Sequence, residues 1–233
     1  MNTSELKKFA QWARRTLIEQ AGARVSSVLE AGSAERREFP TAVLALEREI
    51  RNSSEAQVVE RAAYIWFNRL SALMFMDANG YTAVRAVSPS EGQTRPALLS
   101  DAMAGHIDDA IPAKVRERVR AILNRSAPSR EPEAEAYRLL LVAVCNQWHD
   151  VMPFMFEKIA DWTELLMPVD LLSSDSILTN MREVMTEDAC QDVEIIGWLY
   201  QFYISEKKDQ VFAGLKKNQK ITAENIPAAT QLF

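Results

Sequence analysis

The sequence predicts an all-α protein, many helices packed as two lobes with little or no sheet. Three observations carry this. Apolar residues recur at spacings of three and four along most of the chain. The period-two alternation of strands is weak throughout. Serine, proline and glycine fall where the periodic runs begin and end.

Taken in order, Leu6, Phe9, Ala13, Leu17, Ala21, Val25 and Val28 form one apolar stripe on a long helix from Ser4 to Glu30. Ala31-Gly32-Ser33 closes it. A charged linker, Ala34 to Phe39, follows, and Pro40-Thr41 opens a helix to about Arg51. Ser54-Glu55-Ala56-Gln57 reads as a capping box, in which the serine hydroxyl accepts from the amide three residues on. The helix it starts carries Tyr64, Trp66, Phe67, Leu70, Leu73, Met74 and Met76, and belongs in the core. Asp77-Ala78-Asn79-Gly80 stops it, because Asn-Gly readily takes the positive φ of a turn. Residues 81–95 are irregular. Pro96 and Pro112 each suit the first turn of a helix, ending near Gly105 and Arg125. Ala127 to Pro132, with two prolines, is the best linker. The helix from Glu133 to His149 is apolar nearly all round and so central. Ser174 can cap a helix from Asp175 to about Met185, and Val193, Ile196, Leu199, Tyr200 and Tyr203 share a stripe on a final long helix.

Charge divides where the linker falls. The net charge is -5 over 233 residues. Residues 1–130 hold 19 Lys and Arg against 15 Asp and Glu, whereas residues 131–233 hold 8 against 17. The reading is a mildly basic lobe over 1–128 and an acidic lobe over 129–233. Such a split marks one lobe facing nucleic acid and one facing protein, or plain scatter of surface charge.

The basic candidates are specific. On the helix from Ala113 to Arg125, Val115, Val119 and Ile122 form the buried stripe. Lys114, Arg118 and Arg125 fall on one flank and Arg116 and Arg120 on the other, five cations against a single Glu117. Cations so arrayed can track a phosphate backbone, and can equally form a solvated face. The tail adds Lys207, Lys208, Lys216, Lys217 and Lys220. The candidate DNA contacts are Lys114, Arg116, Arg118 and Arg120 of this helix and Lys207, Lys208, Lys216 and Lys217 of the tail.

Other chemistry finds little support. The two cysteines, Cys145 and Cys190, sit in apolar helical patterns, as core thiols of a reducing compartment do. The polar start, Met1 to Lys8, is no signal peptide, and the longest apolar run, Leu139 to Cys145, is too short for a membrane span. The chain reads as soluble and cytoplasmic. Cys145 and His149 share a helix face, but structural zinc normally takes four ligands and no further pair is spaced for it. Nothing marks an orienting group for a Cys-His nucleophile. No catalytic, cofactor or metal residue is assigned.

The segment from Cys190 to Phe233 resembles the stretch that leads into the catalytic domain of PglX, the adenine-specific DNA methyltransferase family of type 1 BREX phage-defence systems. Trp66-Phe67-Asn68-Arg69-Leu70, Phe75 to Tyr81, Glu91-Gly92-Gln93-Thr94, Gly105 to Asp109 and Met152 to Glu157 are similar to the same family. Residues 31–52 and 113–132 match it least, so the cations of the basic helix are not carried over from it. The resemblance implies the N-terminal helical region of such an enzyme, with the apolar Leu232-Phe233 lying just before a further element. The parent would transfer a methyl group from S-adenosylmethionine to adenine in double-stranded DNA, which requires flipping the base out of the stack. Its own methyltransferase domain, DNA and other BREX proteins would be its partners. The Asn/Asp-Pro-Pro-aromatic motif of that chemistry is absent here. So is a glycine-rich strand-to-helix turn for the methyl donor, since the seven glycines lie far apart. The expected role is to brace the catalytic domain and contact DNA or partners. The alternatives are a stand-alone helical adaptor that uses its acidic lobe, and a DNA-binding module in its own right.

Overall fold

Local capping sets the start of the chain. The computed structural model describes residues 2–153, 156, 162–216 and 226. Among these there are ten α-helices, one 3-10 turn and no strand, only a single antiparallel bridge between Pro89 and Pro96. Helix α1 (Thr3–Leu29) begins where the side-chain oxygen of Asn2 accepts from the amides of Ser4 and Glu5 at 3.2 and 3.4 Å. Ser54 caps α4 (Glu55–Ala78) by accepting from the Gln57 amide at 3.3 Å, the serine half of the expected capping box.

Between these lie α2 (Ala34–Glu38) and α3 (Pro40–Asn52). The stretch expected as a charged linker is therefore mostly helical. Ser33 accepts from the Arg36 amide at 3.3 Å, and Arg36 donates to the Leu29 carbonyl at 2.9 Å and to Glu47 at 2.8 Å. Those bonds supply what a five-residue helix lacks on its own.

After the irregular loop come α5 (Ala97–Met103), α6 (Ala113–Leu123), α7 (Pro132–Val151) and the short α8 (Trp162–Leu165). Pro96 and Pro112 stand one residue before α5 and α6 rather than inside their first turns. The chain then forms α9 (Ile177–Val184), a 3-10 turn (Ala189–Gln191) and α10 (Glu194–Leu215). The cap of α9 is Ser176, not Ser174: its hydroxyl accepts from the Thr179 amide at 3.2 Å. Just upstream, Asp170 accepts from the Ser173 amide at 3.1 Å and Asp175 from the Ser173 hydroxyl at 3.0 Å, which delays the helix. In α10 the buried positions are Ile195, Leu199 and Tyr203, while Val193, expected on that stripe, is 68% exposed.

Two apolar cores result, and α1 and α4 run through both. The larger gathers the first half of α1, the second half of α4, and residues of α5, α6, α7, α9 and α10. Residues from both sides of position 128 meet in it. The smaller holds Ala21, Val25 and Val28 of α1, Val43 and Leu46 of α3, the start of α4, and Trp162, Leu165 and Leu166. No helix among the described residues is long and apolar enough to cross a membrane.

Both thiols are fully enclosed. Burial pushes Cys145 up to about 12 and Cys190 up to about 11, so at neutral pH neither holds the reactive thiolate. A disulfide-exchange reagent at pH 8 should therefore count no fast thiol in the native chain and two after unfolding in guanidinium. Rapid native labelling would contradict this packing.

Candidate nucleic-acid interface

Helix α6 buries Val119 and Ile122, with Val115 half-buried, and so turns its cations outward. Lys114, Arg118 and Arg120 are exposed and Arg116 is partly covered. Their surroundings differ. Arg116 is held by Asp109, and Arg118 donates to Glu135 of α7 at 3.0 Å. Lys114 and Arg120 form no ion pair among the described residues. The outward face is thus less positive than the sequence count, because two of its cations already have carboxylates.

The described tail cations differ in their surroundings as well. Lys207 of α10 shares Glu60 of α4 with Arg14 of α1. Lys208 is half-buried and Lys216, at the end of α10, is exposed. Lys217 and Lys220 lie outside the described residues.

The charge division of the sequence is partly closed by pairing across it. Glu133 accepts from Arg95 at 2.9 Å, and Glu187 from Arg85 at 3.0 Å. With Glu135 and Arg118, these join acids of the second part to arginines of the first. The individual pairs are surface bridges and contribute little each. Their effect is to lower the contrast in field between the two parts.

The most elaborate polar site is one whose role sequence reasoning missed. Asp77, at the end of α4, is fully buried. Its carboxylate accepts from the amides of Ala86, Val87 and Ser88 at 2.9, 2.8 and 2.9 Å, and from the Thr82 hydroxyl at 3.1 Å. Burial raises its pKa, and the three amides and the hydroxyl pull it back. Tyr137 of α7 donates to the Ala86 carbonyl at 3.0 Å, and Arg182 of α9 to that of Val87 at 3.3 Å. The irregular loop after α4 is therefore fastened to three helices. The only sequence sign was an aspartate at the end of an apolar helix, next to a segment with no periodicity to order it.

The segments that carry the family resemblance have structural work. Gly80, Gly92 and Gly105 adopt φ of 67°, 73° and 92°, in turns that follow α4, cross the loop and close α5. Arg69 is 1% exposed, with its guanidinium 5.2 Å from the Trp66 ring centroid. Asp109 holds Arg116. From Met152 to Glu157, only Met152, Pro153 and Phe156 are among the described residues.

Cys145 is enclosed, and the Nδ1 atom of His149 lies 2.8 Å from the Phe156 carbonyl oxygen. No group of three or more His, Cys, Asp or Glu side chains gathers in metal-binding array among the described residues. The described glycines stand in turns and helices, none in a strand-to-helix turn.

No family model matches the chain. The adenine-specific methyltransferase BrxX of Escherichia coli O9:H4 (strain HS) is 34% identical over 257 aligned positions, which take in 100% of this chain and 20% of that protein. The adenine-specific methyltransferase PglX of Lacticaseibacillus casei (strain Zhang) is 34% identical over 184 positions, 76% of this chain and 15% of that protein. The chain thus spans a fifth or less of the length of these curated relatives, the shares expected of one region, such as the N-terminal one, of a much longer enzyme. By sequence, then, the chain belongs to the family of adenine-specific methyltransferases that includes BrxX and PglX, as the counterpart of one region of it.

Proposed function

We propose that this chain is the N-terminal helical region of a cytoplasmic BREX adenine-specific DNA methyltransferase, and that it braces the catalytic part of that enzyme. The observation that carries the reading is the match of the whole chain to one-fifth of BrxX at 34% identity. In the whole enzyme the methyl donor would be S-adenosylmethionine and the acceptor an adenine flipped from duplex DNA. Both the donor site and the target-reading part lie elsewhere in this reading. Calorimetric titration of the purified chain with S-adenosylmethionine should give no heat of binding. Stoichiometric tight binding would overturn the assignment.

Contact with DNA through α6 is the second element of the proposal. Lys114 and Arg120 are the cations with charge to spare, and Lys216 is exposed at the end of α10. Each phosphate contact contributes about 0.9 to the slope of log affinity against log salt. The double variant Lys114→Gln/Arg120→Gln should therefore weaken duplex binding and lower that slope by roughly 2. The pair Arg116→Gln/Arg118→Gln should do less, because Asp109 and Glu135 already hold those side chains. Fluorescence anisotropy with a labelled duplex at several salt concentrations reads both. Affinity indifferent to all four substitutions would remove DNA contact by α6.

The pairing of Arg116 and Arg118 with carboxylates favours one rival, a helical adaptor whose acidic second part, Glu131 to Glu194, meets a protein. Translating the gene past the codon for Phe233 separates the two. Continuation into a methyltransferase domain supports the first reading, and a stop codon supports the adaptor.

A further inference from the structure

A cleft of about 570 Å³ opens between α1, α4 and α10, and no residue of α6 lines it. Its size lies within the range of small-molecule sites. One wall is aromatic. Tyr64 meets Tyr200 edge-on at 5.8 Å and Tyr203 at 6.0 Å, and Tyr203 is stacked on Phe67 behind it at 4.3 Å. The other wall is charged, with Glu60 between Arg14 and Lys207.

Two features go beyond what packing requires. The first is the ratio of charges: one carboxylate serves two cations. Arginine offers five N–H donors and lysine three, so Glu60 cannot use them all. Arg61 also lines the cleft but is committed elsewhere, to Glu49 at 3.0 Å and over the Trp162 ring at 4.9 Å. The second is Tyr203. It is 3% exposed, lines the cleft, and its enclosed hydroxyl has no hydrogen-bond partner among the described residues. Buried hydroxyls are nearly always paired, and an orphan is a standing cost to the fold. Here the orphan sits beside surplus cations and a tyrosine wall.

We infer that this cleft binds a nucleotide, with its base against Tyr64 and Tyr200, a polar edge reaching Tyr203, and its phosphate drawn by Arg14 and Lys207. An apolar ligand would leave the cations unused, and a bare anion would leave the rings unused. Aromatic faces beside cations are how proteins hold single nucleotide units regardless of sequence. The nucleotide is either a free mononucleotide or one unit of an unpaired strand, and both present the same base and phosphate.

Calorimetry on the purified chain tests this with deoxyadenosine monophosphate, oligo-deoxyadenylate and inorganic phosphate. The monophosphate should bind saturably, more weakly as salt rises, and inorganic phosphate roughly tenfold more weakly still. Equal affinity per site for the monophosphate and the oligomer identifies a free nucleotide, and a much tighter oligomer identifies a strand. Either result supports the site. Tyr203→Phe removes a hydroxyl that the fold does not use. Its thermal midpoint should stay or rise while nucleotide affinity falls severalfold, a combination that a structural tyrosine would not give. Tyr200→Ala should lower affinity about tenfold, and Glu60→Gln should raise it. Three results would each overturn the inference: no binding of either nucleotide, phosphate binding as tightly as the monophosphate, or full affinity in both tyrosine variants. The inference rests on this cleft alone, so it can fail without touching the reading of α6 and the converse also holds.

Discussion

Replacing Asp77 with alanine will lower the unfolding free energy by about 3–5 kcal/mol, near the top of the range for single substitutions. The variant strips the shared acceptor from the amides of Ala86, Val87 and Ser88 at once, and Ala86 and Val87 are buried. Each buried donor left without a partner costs about 1–3 kcal/mol, less than additively because the loop can rearrange. For a chain of this size the thermal midpoint should drop by roughly 10 °C. Asp77→Asn keeps one acceptor oxygen and should lose about half as much. The loss should also show as faster hydrogen exchange at Ala86 and Val87, since the loop opens locally before the helices do. Thermal unfolding followed by circular dichroism gives the first number. A shift of under about 2 °C for the alanine variant would mean that the loop is held by Tyr137 and Arg182 alone.

Trp66→Ala is the second large effect, with an expected loss of about 3–5 kcal/mol. Trp66 lies in the middle of α4 with no exposed surface. Its indole N–H donates to the Thr163 carbonyl at 2.9 Å, which ties α4 to α8 across 97 residues of sequence. The Arg69 guanidinium packs over the same ring. Truncation thus opens a cavity, cuts the tie and removes the aromatic face beside a buried cation. Trp66→Phe restores most of the apolar volume but not the N–H, and should cost about half as much. Urea unfolding monitored by helical ellipticity separates the variants by midpoint. Equal midpoints for alanine and phenylalanine would show that the cavity term is negligible here.

The helices were readable because their signals are local. The stripe from Leu6 to Val28 and the capping serine at Ser54 need no knowledge of the rest of the chain, and both are where the spacing puts them. What failed depended on neighbours. Ser33 turned an expected linker into α2 only because Arg36 finds the Leu29 carbonyl and Glu47. Ser174, the cap expected from the sequence, gives way to Ser176, because Asp170 and Asp175 engage Ser173 just upstream. The positions of the candidate cations were legible, but their partners were not, since Glu135 and Glu60 come from other helices. Tyr64, Tyr200 and Tyr203 read as core residues. The cleft they form depends on α4 and α10 being side by side, which no period in the sequence encodes.

That α10 lies along α1 has a consequence for how the chain is made. Gln11 donates to Ser205 across 194 residues, and Arg15 meets Glu206 at 3.5 Å. Helix α4 covers part of the α1 stripe early, but the stripe waits for α10, made far later, before its cover is complete. At translation rates of about 5–20 residues per second, that wait is on the order of 10–40 seconds. During it the side of α1 that α10 will cover is open to chaperones and to neighbouring nascent chains.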